Sequence, residues 1–193
     1  MFRLPGFSTF ELTVVIGFLF VVTAVFVFFV DPVERARQKR DARLAQDAQE
    51  VLDSLGKFYI SFGRVPWSDR VNPVELSPAL SWKSLRVPEV GICADNECKT
   101  PGELVTSKKL SERFLTTDSV LGRNGTVYIS KGSGPKVTIY ACFVPESKVT
   151  RRKNGELFKI NLEAEFPKNG TLASCPSATS WVEEDVCYTC VAK

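Results

Sequence analysis

The sequence contains no histidine, and this absence removes a large part of enzyme chemistry from consideration. Histidine is the usual general base near neutral pH, the usual partner of a nucleophilic serine or cysteine, and a common metal ligand. No pair of carboxylates stands out in the sequence as an acid–base couple. The residues that are present therefore favour a protein that is not an enzyme.

Neither positive nor negative charge is in large excess. The 193 residues carry a formal net charge of +3, which is too small to indicate a steering field for polyanions. We therefore expect no nucleic-acid partner. Internal repeats and low-complexity segments are also absent from the sequence, and the length predicts one domain of ordinary size after the N-terminal segment.

The longest stretch without charge lies near the N-terminus, where 19 consecutive uncharged residues run from Leu12 to Val30. About 20 apolar residues span a hydrocarbon core of about 30 Å, so residues 7–30 are predicted to form a transmembrane helix. A secretory signal has a shorter apolar core that precedes a small-residue cleavage site, which this run lacks. Glu11 stands at its entrance. A buried carboxylate there costs roughly 2.5–3.5 kcal/mol, which predicts a partner charge.

The residues around this acid are Gly6-Phe7-Ser8-Thr9-Phe10-Glu11, and they resemble the prepilin peptidase site of type IV pilins and type II secretion pseudopilins. The resemblance implies that residues 1–6 are a leader removed after Gly6. It implies that Phe7 becomes the N-methylated first residue, and that Glu11 pairs with the Phe7 amine of a neighbouring subunit. The resemblance extends to about residue 67 and is only architectural beyond it.

The same resemblance implies a fold and a set of partners. The expected fold is α+β, with a long N-terminal helix packed on a small antiparallel sheet, and residues 31–193 form an extracytoplasmic head. The implied function is that of a structural subunit, of the major type, in a type IV pilus-like filament or a secretion pseudopilus. The implied partners are copies of the chain itself, prepilin peptidase, the inner-membrane assembly platform, an assembly ATPase, minor pilins and membrane lipid.

Two alternatives remain open from the sequence. One is a single-pass, membrane-anchored extracytoplasmic binding or redox protein that never polymerises. The other is a DNA-uptake pilin of a competence system.

Five basic residues follow the apolar run; they are Arg35, Arg37, Lys39, Arg40 and Arg43. Positive flanks normally stay in the cytoplasm, so these residues taken alone would put residues 31–193 inside the cell.

The cysteines argue instead for an exported head. All six lie beyond the apolar run, and an even count of cysteines in an exported domain predicts disulfides; they are Cys93, Cys98, Cys142, Cys175, Cys187 and Cys190. Cys93 and Cys98 are close enough in sequence to close a small loop, and the other connectivity stays open. Two other interpretations are a redox site at Cys187-x2-Cys190 and a zinc site built from that pair with Cys93-x4-Cys98.

Periodicity predicts one helix over residues 7–62 with a kink at Pro32, ending at the Gly63-to-Pro66 turn. Its second half carries an apolar stripe expected to pack on a sheet; its members are Ala42, Ala45, Ala48, Val51, Leu52, Leu55, Phe58, Tyr59 and Phe62. Residues 66–120 are expected to be irregular, with a helical turn at 111–115. Strands are predicted at 126–130, 136–144 and 156–162 as a three-stranded meander, with a further strand possible near Cys187.

Several smaller patterns remain. Asn124 and Asn169 each begin an Asn-Gly-Thr glycosylation sequon, although a turn entering a strand has the same sequence. A predicted basic hairpin tip is a candidate DNA contact, and it comprises Lys148, Arg151, Arg152 and Lys153. We expect no cofactor. Two oxygen-rich patches are the candidates for a Ca²⁺ site: Asp95, Asn96 and Glu97, and Glu183, Glu184 and Asp185.

Overall fold

The computed structural model describes residues 8–68, 77–122, 126–134, 136, 138–152, 157–160, 168–169, 175 and 187–193, with the side chains of 24–30 and 168–169 excepted. The chain forms two compact units, Met1–Ala36 and Arg37–Lys193. Helices and an antiparallel sheet are both present, so the coarse α+β prediction is confirmed.

Two helices occupy the first third of the chain. Helix α1 spans Thr9–Val30 and helix α2 spans Pro32–Phe62. Asp31 separates them with a φ of 26°, a value that a helix does not contain. Pro32 is well placed as a first helical residue because it has no N–H to leave unpaired, and the Asp31 carboxylate accepts the N–H of Glu34 at 3.1 Å. The prediction of one helix that is only kinked at Pro32 is therefore wrong, since a break lies at Asp31.

Helix α2 packs one face against the strands and turns that follow it in the head. Its buried apolar residues share a single core cluster with β-strand residues; on the helix they are Leu44, Ala48, Val51, Leu52, Leu55 and Phe58. The predicted stripe is confirmed over residues 48–58 and wrong at its ends. Ala42 is exposed, and half of the Phe62 side chain is exposed. Gly63 then ends the helix with a φ of 69°, which glycine adopts without a steric penalty, as the predicted exit requires.

Over the described residues the sheet has six antiparallel strands, in the order β1-β2-β3-β6-β4-β5. Their bounds are Leu80–Ser84, Val127–Lys131, Ile139–Phe143, Leu157–Lys159, Lys168–Asn169 and Cys187–Ala192, numbered β1 to β6. Three strands lie where the sequence predicts them, and the C-terminal strand is confirmed. The simple meander is wrong because β6, the last strand in the sequence, lies between β3 and β4. Strand β1 lies in a stretch expected to be irregular.

Short helical turns fill the segment between β1 and β2. They are the 3₁₀ turns Pro88–Val90 and Glu112–Leu115 and the helices α3, Glu103–Thr106, and α4, Asp118–Leu121. The predicted turn at 111–115 is confirmed, and the Ser111 hydroxyl caps it by accepting the Arg113 N–H. Gly102 cannot be replaced without rearrangement, since an added Cβ would lie 2.4 Å from the carbonyl oxygen of Gly91.

Disulfides connect the strands and the loops of the head. Cys142 on β3 lies directly opposite Cys190 on β6, and the two are joined with their Cα atoms 4.0 Å apart. Cys175 joins Cys187, the first residue of β6. With Leu157, that pair forms a second, smaller buried cluster. The C-terminal strand is therefore held by disulfides at its first residue, Cys187, and within it, at Cys190.

The bridge across β3 and β6 is expected to contribute more stabilisation than either of the other two disulfides. A double variant, Cys142→Ala with Cys190→Ala, opens a loop of 48 residues. Loop-closure entropy predicts a loss of about 4 kcal/mol in the free energy of unfolding. Removing Cys93 and Cys98, which are five residues apart, is the matched control and should cost about 2 kcal/mol. Urea unfolding of the unreduced full chain in mild detergent, followed by tryptophan fluorescence, measures both. A larger loss from the control pair would contradict the argument.

Candidate functional site

The N-terminal helix begins with a reciprocal pair of side-chain hydrogen bonds. The Ser8 hydroxyl accepts the N–H of Glu11 at 3.2 Å, and a carboxylate oxygen of Glu11 accepts the N–H of Ser8 at 3.1 Å. This capping box satisfies two backbone donors and holds the Glu11 charge at the positive end of the helix dipole. The sequence interpretation missed the role of Ser8, although Ser-x-x-Glu before an apolar run is a recognisable signal.

The surface of α1 is apolar and uncovered. Every described side chain from Thr9 to Thr23 is exposed, with 76% of Phe10 and 78% of Phe20 accessible. The two threonine hydroxyls donate back to helix carbonyls, Thr13 to Thr9 at 2.8 Å and Thr23 to Leu19 at 2.7 Å. Beyond its first turn, the described part of α1 therefore offers its surroundings almost only apolar groups, and a helix that is apolar all round is normally buried.

The residues that the structure describes contain no helix that is long and apolar enough to cross a membrane. Gly6 and Phe7, the predicted cleavage and methylation residues, lie outside the described part of the chain, as do the side chains of residues 24–30. The transmembrane assignment of residues 7–30 and the processing site therefore stay predictions.

All six cysteines are in disulfides, which decides between the interpretations of their spacing. The predicted Cys93–Cys98 loop is confirmed. Cys187 and Cys190 are bonded to Cys175 and Cys142 and not to each other, so the redox interpretation of their spacing is wrong. The four-cysteine zinc site is wrong for the same reason, because a bridged sulfur is not a thiolate ligand.

Asp95 organises the loop that Cys93 and Cys98 close. Its carboxylate accepts the backbone N–H groups of Glu97 at 2.8 Å, Lys99 at 3.2 Å and Thr100 at 2.7 Å. A hydrogen bond from the Thr100 side chain, followed by the backbone bonds, lowers the pKa of Asp95 from 3.8 to about 2. Glu97 forms an ion pair with Lys99. The oxygens proposed as Ca²⁺ ligands are thus engaged in local bonds.

No metal-binding cluster appears elsewhere in the described residues, where no group of three or more acids, cysteines or histidines is placed to hold an ion. The second Ca²⁺ candidate, residues 183–185, lies outside the described residues. Lys153 and Asn124 also lie outside them, and Asn169 is described only by its place in β5. Neither glycosylation sequon is therefore tested.

A groove of about 560 Å³ lies beside α2 on the head. Arg43, Asp47 and Arg113 line it together with residues of α4. Its charges bond mainly to one another. The Ser119 hydroxyl donates to Asp47 at 2.7 Å, and Arg113 lies 3.9 Å from Asp47 and pairs with Glu50. This cross-bonding ties α4 to α2 and leaves a groove of mixed charge.

Comparison with known proteins adds no assignment, since no protein family, curated protein or solved structure matches this chain. The functional argument therefore rests on the residues and their geometry.

The Asp95 bonds predict a specific pH dependence for the Cys93–Cys98 loop. Because the folded-state pKa is depressed, their stabilisation is fully present above about pH 4 and is lost as the pH falls through about 2. NMR titration of the Asp95 carboxyl carbon in the full chain measures this. The variant Thr100→Val should raise the pKa of Asp95 toward 3.8, because it removes the hydroxyl donor while keeping the shape. A wild-type midpoint near 3.8 would contradict the prediction.

Proposed function

We propose that this chain is a structural subunit of a type IV pilus-like filament or secretion pseudopilus, polymerised through α1. The observation that supports it most is the exposed, apolar surface of α1 with a single carboxylate, Glu11, in its first turn. Such a helix needs an apolar environment that the chain itself does not supply. Membrane lipid supplies it before assembly, and the α1 helices of other copies supply it afterwards.

Glu11 is proposed to decide the register of assembly. Lipid and a bundle of apolar helices are similar environments, so transfer between them gives little net hydrophobic gain. Close packing and the charge of Glu11 then determine which neighbour is accepted. The proposed partner is the free amine of Phe7 in an adjacent subunit, produced by prepilin peptidase after Gly6. An open filament follows because such a head-to-tail contact does not close on itself.

The head suits an oxidising compartment. Three disulfides hold it, and two of them secure the strand on which the sheet is completed. Disulfides persist outside the cytoplasm, which supports an extracytoplasmic head on an inner-membrane anchor. The remaining proposed partners are the assembly platform, an assembly ATPase that supplies the energy for extrusion, and minor pilins.

A second candidate is a membrane-anchored binding protein that does not polymerise. The groove of about 560 Å³ beside α2 favours it, because cavities of this size hold small ligands in other proteins. The bonds among the groove's own charges argue against it. Processing of the N-terminus separates the two proposals.

Mass spectrometry of the intact, unreduced protein from its native membrane tests the processing. We expect a chain that begins at Phe7, about 14 Da heavier from one methyl group. It should also be about 2 Da lighter for each of three disulfides. A chain that keeps Met1 would overturn the pilin proposal and leave the anchored binding protein.

Two substitutions separate the charge of Glu11 from its capping role. Glu11→Gln keeps an acceptor that can complete the capping box but removes the charge, whereas Glu11→Leu removes both. If a charged pair selects the neighbour, both variants should lower the sheared filament yield by at least about tenfold, because charge-assisted bonds are roughly twice as strong as neutral ones. Their amounts in the membrane should be unchanged. Filaments at the wild-type level from Glu11→Gln would show that capping alone matters.

A further inference from the structure

Two basic segments that are far apart in the sequence meet on the head. One is residues 37–43 of α2, and the other is residues 144–152, which include the short helix α5, Lys148–Arg151. The buried carboxylate of Asp41 joins them. Its two oxygens accept the N–H of Glu146 at 3.0 Å and the N–H of Ser147 at 2.9 Å. Because these bonds are short and shielded from water, α5 is held at a defined place beside α2.

The acids in this region are engaged locally. Arg40 donates to Asp41 at 3.0 Å and to the carbonyl oxygen of Val144 at 3.3 Å, and it pairs with Glu146 at 3.3 Å. Arg151 donates to the carbonyl oxygen of Pro145 at 2.8 Å. These two arginines therefore act as ties within the head. They also offset the charges of Asp41 and Glu146, the two acids of these segments.

Five further cations lie in these two segments, and we name them the basic collar. Lys39, Arg43, Lys148 and Arg152 are exposed and Arg37 is partly exposed. The side chains of the collar are therefore available to a partner in the described structure. The small net charge of the whole sequence conceals this concentration of cations in two short segments.

One apolar side chain stands among these charges. Val149 is 53% exposed, between Lys148 and Arg152 on the outside of α5. Segments that lie at a membrane interface combine cations with apolar side chains that reach the boundary between lipid headgroups and acyl chains. Val149 and its flanking cations offer this combination on a small scale.

We propose that the basic collar binds anionic phospholipid headgroups at the membrane surface, with Val149 entering the headgroup layer. The proposal rests on the proposed function, which brings the head to a membrane, and it specifies which part of the head faces the lipid. Arg37 follows the end of α1 by only seven residues, so the collar begins where the chain leaves its apolar segment. Cations near an anionic surface are each attracted to it, and this attraction is lost at high salt.

The test uses the full-length chain reconstituted into vesicles. One set contains phosphatidylcholine only, and the other contains about 30% phosphatidylglycerol, enough to give a negative surface potential. Flotation first shows whether the chain associates with both. An amine-reactive, membrane-impermeant reagent then labels lysines, and mass spectrometry measures the rate at each site. We expect labelling of Lys39 and Lys148 to fall on the order of fivefold with anionic lipid and to recover at high salt.

The controls lie in the same chain. Lys57 is exposed on α2 about 21 Å beyond Arg43, so its labelling should not change between the vesicles. The variant Arg43→Gln with Arg152→Gln should lose most of the protection at Lys39 and Lys148. The matched variant Lys57→Gln with Lys108→Gln removes two exposed lysines outside the collar and should keep the protection.

Several outcomes would overturn the proposal. Equal labelling in both vesicles after successful flotation would overturn the collar alone and leave the filament proposal standing. Failure to float with either vesicle would overturn both. Protection of the same lysines by a short DNA duplex, with none by anionic vesicles, would replace the lipid with a nucleic acid as the partner.

Discussion

The position of the C-terminal strand is the constraint on which the rest of the head depends. Strand β6 lies between β3 and β4, so the sheet is in two pieces until the end of the chain is in place. Val191 of β6 packs against the main core, whereas Cys187 completes the smaller cluster. Pairing between distant parts of a chain carries a large loop-closure cost. The two disulfides of β6 reduce that cost.

The two long helices solve the problem of burial in different ways. Helix α2 buries one apolar stripe against the sheet, and its exposed side chains are mostly polar, with Val33 and Ile60 as exceptions. Helix α1 exposes its apolar side chains on every described face. This contrast is the physical basis of the filament proposal, in which lipid or other copies of the chain cover α1.

Carboxylates in this chain organise the backbone at four separate places, one of which is the start of α2, where Asp31 accepts the N–H of Glu34. Glu11 accepts an N–H at the start of α1, Asp95 accepts three in the small disulfide loop, and Asp41 accepts two where α5 meets α2. In each case the acid fixes the backbone whose N–H groups it accepts. An acid with this role in a polar loop resembles a metal ligand in the sequence, as Asp95 did. The basic residues, in contrast, are left largely on the surface.

The sequence by itself determined the features that depend on local pattern. The core stripe from Ala48 to Phe58, the exit at Gly63, the strands around residues 128, 141 and 158 and the Cys93–Cys98 loop follow from side-chain period, turn residues and short spacing. The pattern Ser8-x-x-Glu11 also predicts a capping box, although it was not interpreted in that way. Only the tertiary structure decided the rest. Strand order, the partners of Cys142 and Cys187, and the meeting of Asp41 with Ser147 join residues that are far apart in the chain. Local pattern does not encode such contacts, because their partners are chosen by how the whole core packs.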